Sequence, residues 1–81
     1  MKNEKNAIIR INLNTLLEIL EARAFVKIYV GENEIFSGNV YEKLNDAEFN
    51  DKYGWYRVVG LASTISFTTI LIEDTFNLDL L

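Results

Sequence analysis

The stretch Phe25-Val26-Lys27-Ile28-Tyr29-Val30, with Gly31-Glu32-Asn33 after it and then Ile35-Phe36-Ser37-Gly38-Asn39-Val40-Tyr41, decides how this chain folds. Its first part alternates with a period of two, which puts Val26, Ile28 and Val30 on one face of a strand and Phe25, Lys27 and Tyr29 on the other. Gly31 and Asn33 tolerate the positive φ that a tight reversal needs, so the second part returns as an antiparallel partner. Gly38, inside that returning strand, is the expected site of a bulge or bend. A run with one apolar face and one mixed face must be covered at least once.

Working outward, Leu13, Leu16, Leu17 and Leu20 precede the hairpin at helical spacing, with Asn14 or Thr15 as the expected cap and an end near Arg23. Ahead of them, Ala7-Ile8-Ile9-Arg10-Ile11 is β-branched and reads as a short edge strand. Leu44 to Gly54 loses the alternation and gains Asn45, Asp46, Asn50 and Asp51, which predicts a loop with at most one helical turn near Ala47 to Asn50. Trp55 to Leu61 and Ile65 to Ile72 form a second pair of strands around a turn at Ala62-Ser63-Thr64. The expected fold is α+β, with one short N-terminal helix and four or five strands in an antiparallel meander curled into a small SH3-like or partly open barrel. The 81 residues suit a single domain, with residues 1–6 as a flexible start and residues 73–81 as a tail.

Composition removes much chemistry. The chain has no His, Cys or Pro. It therefore lacks the commonest general base, the thiolate nucleophile, disulfides and the usual zinc ligands, and a hydrolase triad is excluded. Asp46, Glu48, Asn50 and Asp51 superficially resemble a calcium loop, but counting from Asp46 puts Asp51 where the sharp turn needs Gly and Arg57 where the bidentate Glu belongs. Gly31, Gly38, Gly54 and Gly60 are scattered, so there is no phosphate-cradling loop. No enzyme activity, metal or cofactor is expected. Nor does the sequence carry an export signal or an apolar run of membrane-spanning length, and a cytoplasmic setting is expected.

Charge is unevenly spread. Twelve acids face eight Lys and Arg, for a net charge of -4, and no basic stripe exists. Direct nucleic-acid binding is disfavoured because clustered cations supply most of its affinity. An acidic surface suits a protein partner with a basic surface. Tyr41, Phe49, Tyr53, Trp55 and Tyr56 crowd the same segment as Glu42, Asp46, Glu48 and Asp51. Aromatics anchor interfaces at small entropic cost, whereas Trp55 and Phe49 also suit packing of the long loop onto the core. The candidate partner-binding residues are Tyr41, Glu42, Asp46, Glu48, Asp51, Tyr53 and Tyr56. A second candidate set, for self-association as a homodimer, is Phe25, Tyr29 and Phe36 on the outer hairpin face with Phe76, Leu78 and Leu80 of the tail.

The runs Leu16-Leu17-Glu18-Ile19-Leu20, Val26-Lys27-Ile28-Tyr29 and Glu34-Ile35-Phe36-Ser37-Gly38-Asn39-Val40-Tyr41 resemble small uncharacterised accessory proteins of phages and prophages of low-GC Gram-positive bacteria. The likeness covers residues 13 to 72 and consists of folding residues rather than a catalytic signature. It implies a protein of the host cell cytoplasm that binds a host component, anti-CRISPR inhibitors being one such class. An acidic, aromatic domain can occupy the basic channel of a nuclease. Two other readings stand beside it. One is an oligomer that sequesters a small ligand or nucleotide on stacked Tyr and Trp, with only Lys27, Lys43, Lys52 and Arg57 for phosphates. The other is a virion structural or assembly component.

Overall fold

The structure is a computed structural model and describes residues 11–74. Its elements run α1 (Leu13–Ile19), β1 (Phe25–Val30), β2 (Asn33–Asn39), α2 (Val40–Leu44), α3 (Ala47–Tyr53), β3 (Arg57–Ser63) and β4 (Thr68–Glu73). The expected α+β class holds, and its finer architecture fits only in part. The four strands are ordered β2-β1-β4-β3. The two hairpins are antiparallel, but β1 and β4 join them in parallel, Val26 beside Thr68 through Val30 beside Ile72. A meander would put β2 next to β3. Here those strands lie at opposite edges, and the sheet is mixed and open rather than a closed barrel. Among the described residues three short helices, not one, accompany it.

α1 starts two or three residues earlier than expected. Its cap is Asn12, whose side chain accepts from the Thr15 N–H at 2.9 Å and so satisfies one of the helix's orphan donors. Leu13, Leu16 and Leu17 form the buried stripe. The helix stops at Leu20, which is extended at ψ 155°. Just before it, the Val58 N–H donates to Ile11 O at 3.0 Å and the Leu13 N–H to Tyr56 O at 2.8 Å. The rest of the expected edge strand, Ala7 to Arg10, lies outside the described residues, as does the tail with Phe76, Leu78 and Leu80.

In the first hairpin Gly31 takes φ +63° at the turn. The pairing starts as Val30 with Asn33 and Tyr29 with Glu34, then slips by one so that Ile28 faces Phe36. Ile35 is the extra residue. Without this bulge Phe36 would face Lys27 and share a side with Phe25 and Tyr29, the register that the self-association set requires. With it, Phe36 moves to the other face, because a one-residue shift reverses every side chain beyond it. The bulge is therefore at Ile35 rather than Gly38. Gly38 serves a different need: a Cβ there would come within 2.7 Å of the Phe36 ring. The strand also ends at Asn39 instead of running to Tyr41. The Asn39 side-chain amide donates to Arg23 O at 2.7 Å and the Glu42 carboxylate accepts from the Asn39 N–H at 3.4 Å, which turns the chain into α2.

The helices cover one face of the sheet. Leu13, Leu16 and Leu17 of α1 and Val40 of α2 close over Val26, Ile28, Val58, Ile70 and Ile72, with Phe36, Phe49, Tyr53 and Tyr56 packed around this core. The central pair Ile28 and Ile70, opposite each other in the parallel ladder, is fully buried. By alternation Phe25, Lys27, Tyr29, Thr69 and Leu71 occupy the other face.

Ile70→Ala should destabilise the fold by about 2 to 5 kcal/mol, since truncation leaves a cavity between two rigid strands, and denaturant unfolding measures it. Gly54→Ala is a less obvious case. Gly54 has φ -59° and ψ -28°, which any residue adopts, but an added Cβ would lie 2.5 Å from Asn50 O. We expect a loss of about 1 to 3 kcal/mol from this overlap, where the backbone conformation alone would predict a gain.

Candidate partner-binding surface

The segment from Val40 to Tyr56 is a helical hairpin rather than a loop, because its polar residues act as caps. Asp46 is the N-cap of α3 and accepts from the Phe49 N–H at 2.9 Å. Its other oxygen meets Lys43 Nζ at 2.9 Å. Asn45 donates from its side chain to Tyr41 O at 3.1 Å, and Asn50 to Leu44 O at 3.3 Å, so both Asn residues tie off carbonyls of α2. Asp and Asn read as loop formers in sequence, yet the same preference for local hydrogen bonds makes them helix terminators and starters.

Between these caps the apolar positions of α3 turn inward. Phe36, Phe49, Tyr53 and Tyr56 form a continuous row, with ring centroids 6.2, 5.2 and 5.2 Å apart in that order, and Trp55 stands edge-on to Tyr56 at 4.9 Å. Offset and tilted contacts of this kind add modestly to area burial. Lys43 Nζ lies 4.7 Å from both the Phe36 and Phe49 ring centres, and Lys52 Nζ 5.3 Å from that of Tyr53. The row seals the edge of the core nearest the hairpin.

This arrangement sorts the seven candidate partner-binding residues. Tyr41, Glu42, Glu48 and Asp51 are exposed. Asp46 is half-buried and committed to its cap and ion pair. Tyr53 and Tyr56, which the sequence places at the surface, are half-buried against the core. Trp55 goes the other way: read from sequence as a core residue, it is 44% exposed. It sits just before β3, and its neighbour Tyr56, not Trp55, follows the inward row. An open groove of about 420 Å³ is lined by Asp46, Glu48, Phe49 and Lys52. Of the self-association candidates, Phe25 and Tyr29 lie on the helix-free face, and Phe36 lies on the covered one.

Hydrogen bonding to Lys43, then to the Phe49 N–H, holds the Asp46 carboxyl below its ordinary value. A group kept ionised in this way is a cap rather than a proton donor. Tyr29 is shifted upward, chiefly by desolvation and then by its hydrogen bond to Glu34 Oε1 at 3.2 Å, which would place a phenolate beside a carboxylate. Among the described residues no three acids gather as a metal site requires, and no helix is long and apolar enough to cross a membrane. Lys27, Lys43, Lys52 and Arg57 are dispersed over β1, α2, α3 and β3, each against a ring or a carboxylate. Compared with family models, curated proteins and solved structures, the chain finds no match.

Because the folded pKa of Asp46 is depressed, its contribution to stability is fully present above pH 3.8 and is lost as pH falls through the lower folded value. Asp46→Asn, which keeps a capping oxygen but not the charge, should flatten that part of the pH–stability curve and melt between wild type and Asp46→Ala in thermal scans at neutral pH.

Proposed function

We propose that this protein is a non-enzymatic binding module that docks the α2–α3 hairpin on a basic surface of a protein partner. The observation that carries the reading is the division of labour within that hairpin. Phe49, Tyr53 and Tyr56 form an inward row that fixes the helices, while Glu42, Glu48 and Asp51, with Tyr41 and Trp55, are left exposed. A rigid scaffold carrying outward acids and two large aromatics loses little entropy on docking and offers both steering and anchorage. The partner class we infer, from the resemblance to phage accessory proteins, is a host defence or nucleic-acid-processing protein in the host cytoplasm, bound in the manner of an anti-CRISPR inhibitor. Each of the four cations is already set against a ring or a carboxylate, which gives no support to the nucleotide-sequestering alternative.

Glu48 and Asp51 are the residues to reverse, because neither makes a cap. Captured from a bacterial host lysate on tagged protein, the partner should be retained by wild type. It should be released by added salt, and the Glu48→Lys/Asp51→Lys variant should hold it roughly ten- to hundredfold more weakly. Trp55→Ala should weaken retention without changing the salt dependence. Equal retention by wild type and the double variant, at low and high salt alike, would overturn the reading.

A further inference from the structure

Three elements converge on the ammonium of Lys43. From α2 it reaches Asp46 Oδ2 at 2.9 Å, and it lies 4.7 Å from the ring centres of both Phe36, in β2, and Phe49, in α3. Those rings are 6.2 Å apart and inclined at 61°, so they make two walls of a wedge and the carboxylate makes the third. Aromatic faces attract a cation through their quadrupole, and an adjacent carboxylate supplies the opposite charge, which is the combination that recognises ammonium ligands. The other ring-bound lysines differ. Lys27 lies over the single ring of Phe67 at 4.5 Å, and Lys52 over that of Tyr53 at 5.3 Å.

The walls of this cage are fixed by groups other than Lys43. The Ile35 bulge brings Phe36 to the covered face, and Gly38 leaves room for its ring, which an added Cβ would approach to 2.7 Å. Asp46 accepts from the Phe49 N–H at 2.9 Å with one oxygen, which keeps the other aimed at the wedge. The cage also has an opening. The groove of about 420 Å³ shares Asp46 and Phe49 with it and adds Glu48 and Lys52. Lys43 keeps 19% of its side chain exposed and carries its charge on a flexible stem, so its head can withdraw to water while α2 stays in place. With Lys43 in the cage, the charges of Asp46 and Glu48 are matched by those of Lys43 and Lys52; with it withdrawn, one carboxylate is uncompensated.

We propose that Lys43 is a resident stand-in, and that the Phe36–Phe49–Asp46 cage is the site for a lysine ammonium of the basic protein partner, which enters through the groove as Lys43 swings out. This rests on the docking of the α2–α3 hairpin proposed above and names the partner group it takes. One ammonium replaces another, so the rings and the carboxylate are left with a cation throughout, and the Asp46 cap on α3 is undisturbed. Lys43 thereby competes with the partner and sets a threshold that an isolated cation in solution overcomes less readily than one already steered to the surface by Glu48 and Asp51.

The test uses the full chain and Nα-acetyl-lysine amide, whose only charge is its side-chain ammonium, with the Nε-acetylated form as the uncharged control. In proton NMR, Lys43→Ala should bind the probe about tenfold more tightly than wild type, with shifts at the Phe36 and Phe49 ring protons, and Lys43→Arg, which refills the cage, should match wild type. Lys52→Met removes a cation from the groove but leaves the cage filled, and should gain roughly twofold at most. In wild type the Lys43 ε-methylene protons, shielded between the rings, should move toward their free-lysine position as the probe saturates, a reading that needs no variant to fold. Lys43 protons that stay in place at saturation, equal binding of the uncharged control, or a gain from Lys52→Met as large as that from Lys43→Ala would overturn the proposal. A captured partner should be held severalfold more tightly by Lys43→Ala. If Glu48→Lys/Asp51→Lys releases that partner while Lys43→Ala changes nothing, the cage proposal fails and the docking stands; if the double variant retains the partner while the probe still seats between the rings, the cage stands and the docking fails.

Discussion

The parallel pairing of β1 with β4 is the contact on which everything else in this protein rests. It joins two hairpins, each too small to be stable alone, into a single four-stranded sheet. It also sets Val26, Ile28, Ile70 and Ile72 side by side as the buried floor of the core. Helices α1 and α2 are seven and five residues long, too short to persist unaided, and hold their shape because Leu13, Leu16, Leu17 and Val40 pack on that floor.

The same packing determines what is left for function. With three helices on one face, the core takes Phe36, Phe49, Tyr53 and Tyr56 and leaves Trp55, Tyr41 and the acids of the hairpin outside. The aromatic segment is therefore split between a packed row and an exposed remainder. Glu42 and Asp46 contribute mainly by starting helices α2 and α3, whereas Glu48 and Asp51 have no such duty. In the docking proposed above, the electrostatic role falls on the latter two.

Much of the local structure was legible in the residues. The Phe25 to Val30 alternation, the Gly31 turn, the Leu stripe of α1 and the second β-rich pair all follow from periodicity and turn chemistry. The errors share a physical cause. Asp46, Asn45 and Asn50 suggest a loop by composition, but a capping residue and a loop residue are chemically the same, and only the helix that follows tells them apart. Trp55 and Tyr56 are adjacent, yet Tyr56 packs on the core and Trp55 is exposed. Which one packs inward depends on where β3 begins to pair.

The sequence by itself determined the class of fold, the one apolar strand face that had to be covered, and the absence of His and Cys chemistry, because these depend on residue identity and short-range spacing. The tertiary structure alone decided that β1 meets β4 rather than β2 meeting β3, and that a bulge at Ile35 carries Phe36 to the covered face. It also decided that β2 and β3 lie at opposite ends of the four-stranded sheet. Strand order and register are set by contacts between residues far apart in the chain, and a single inserted residue reverses every side chain beyond it, so neither can be read from a period of two.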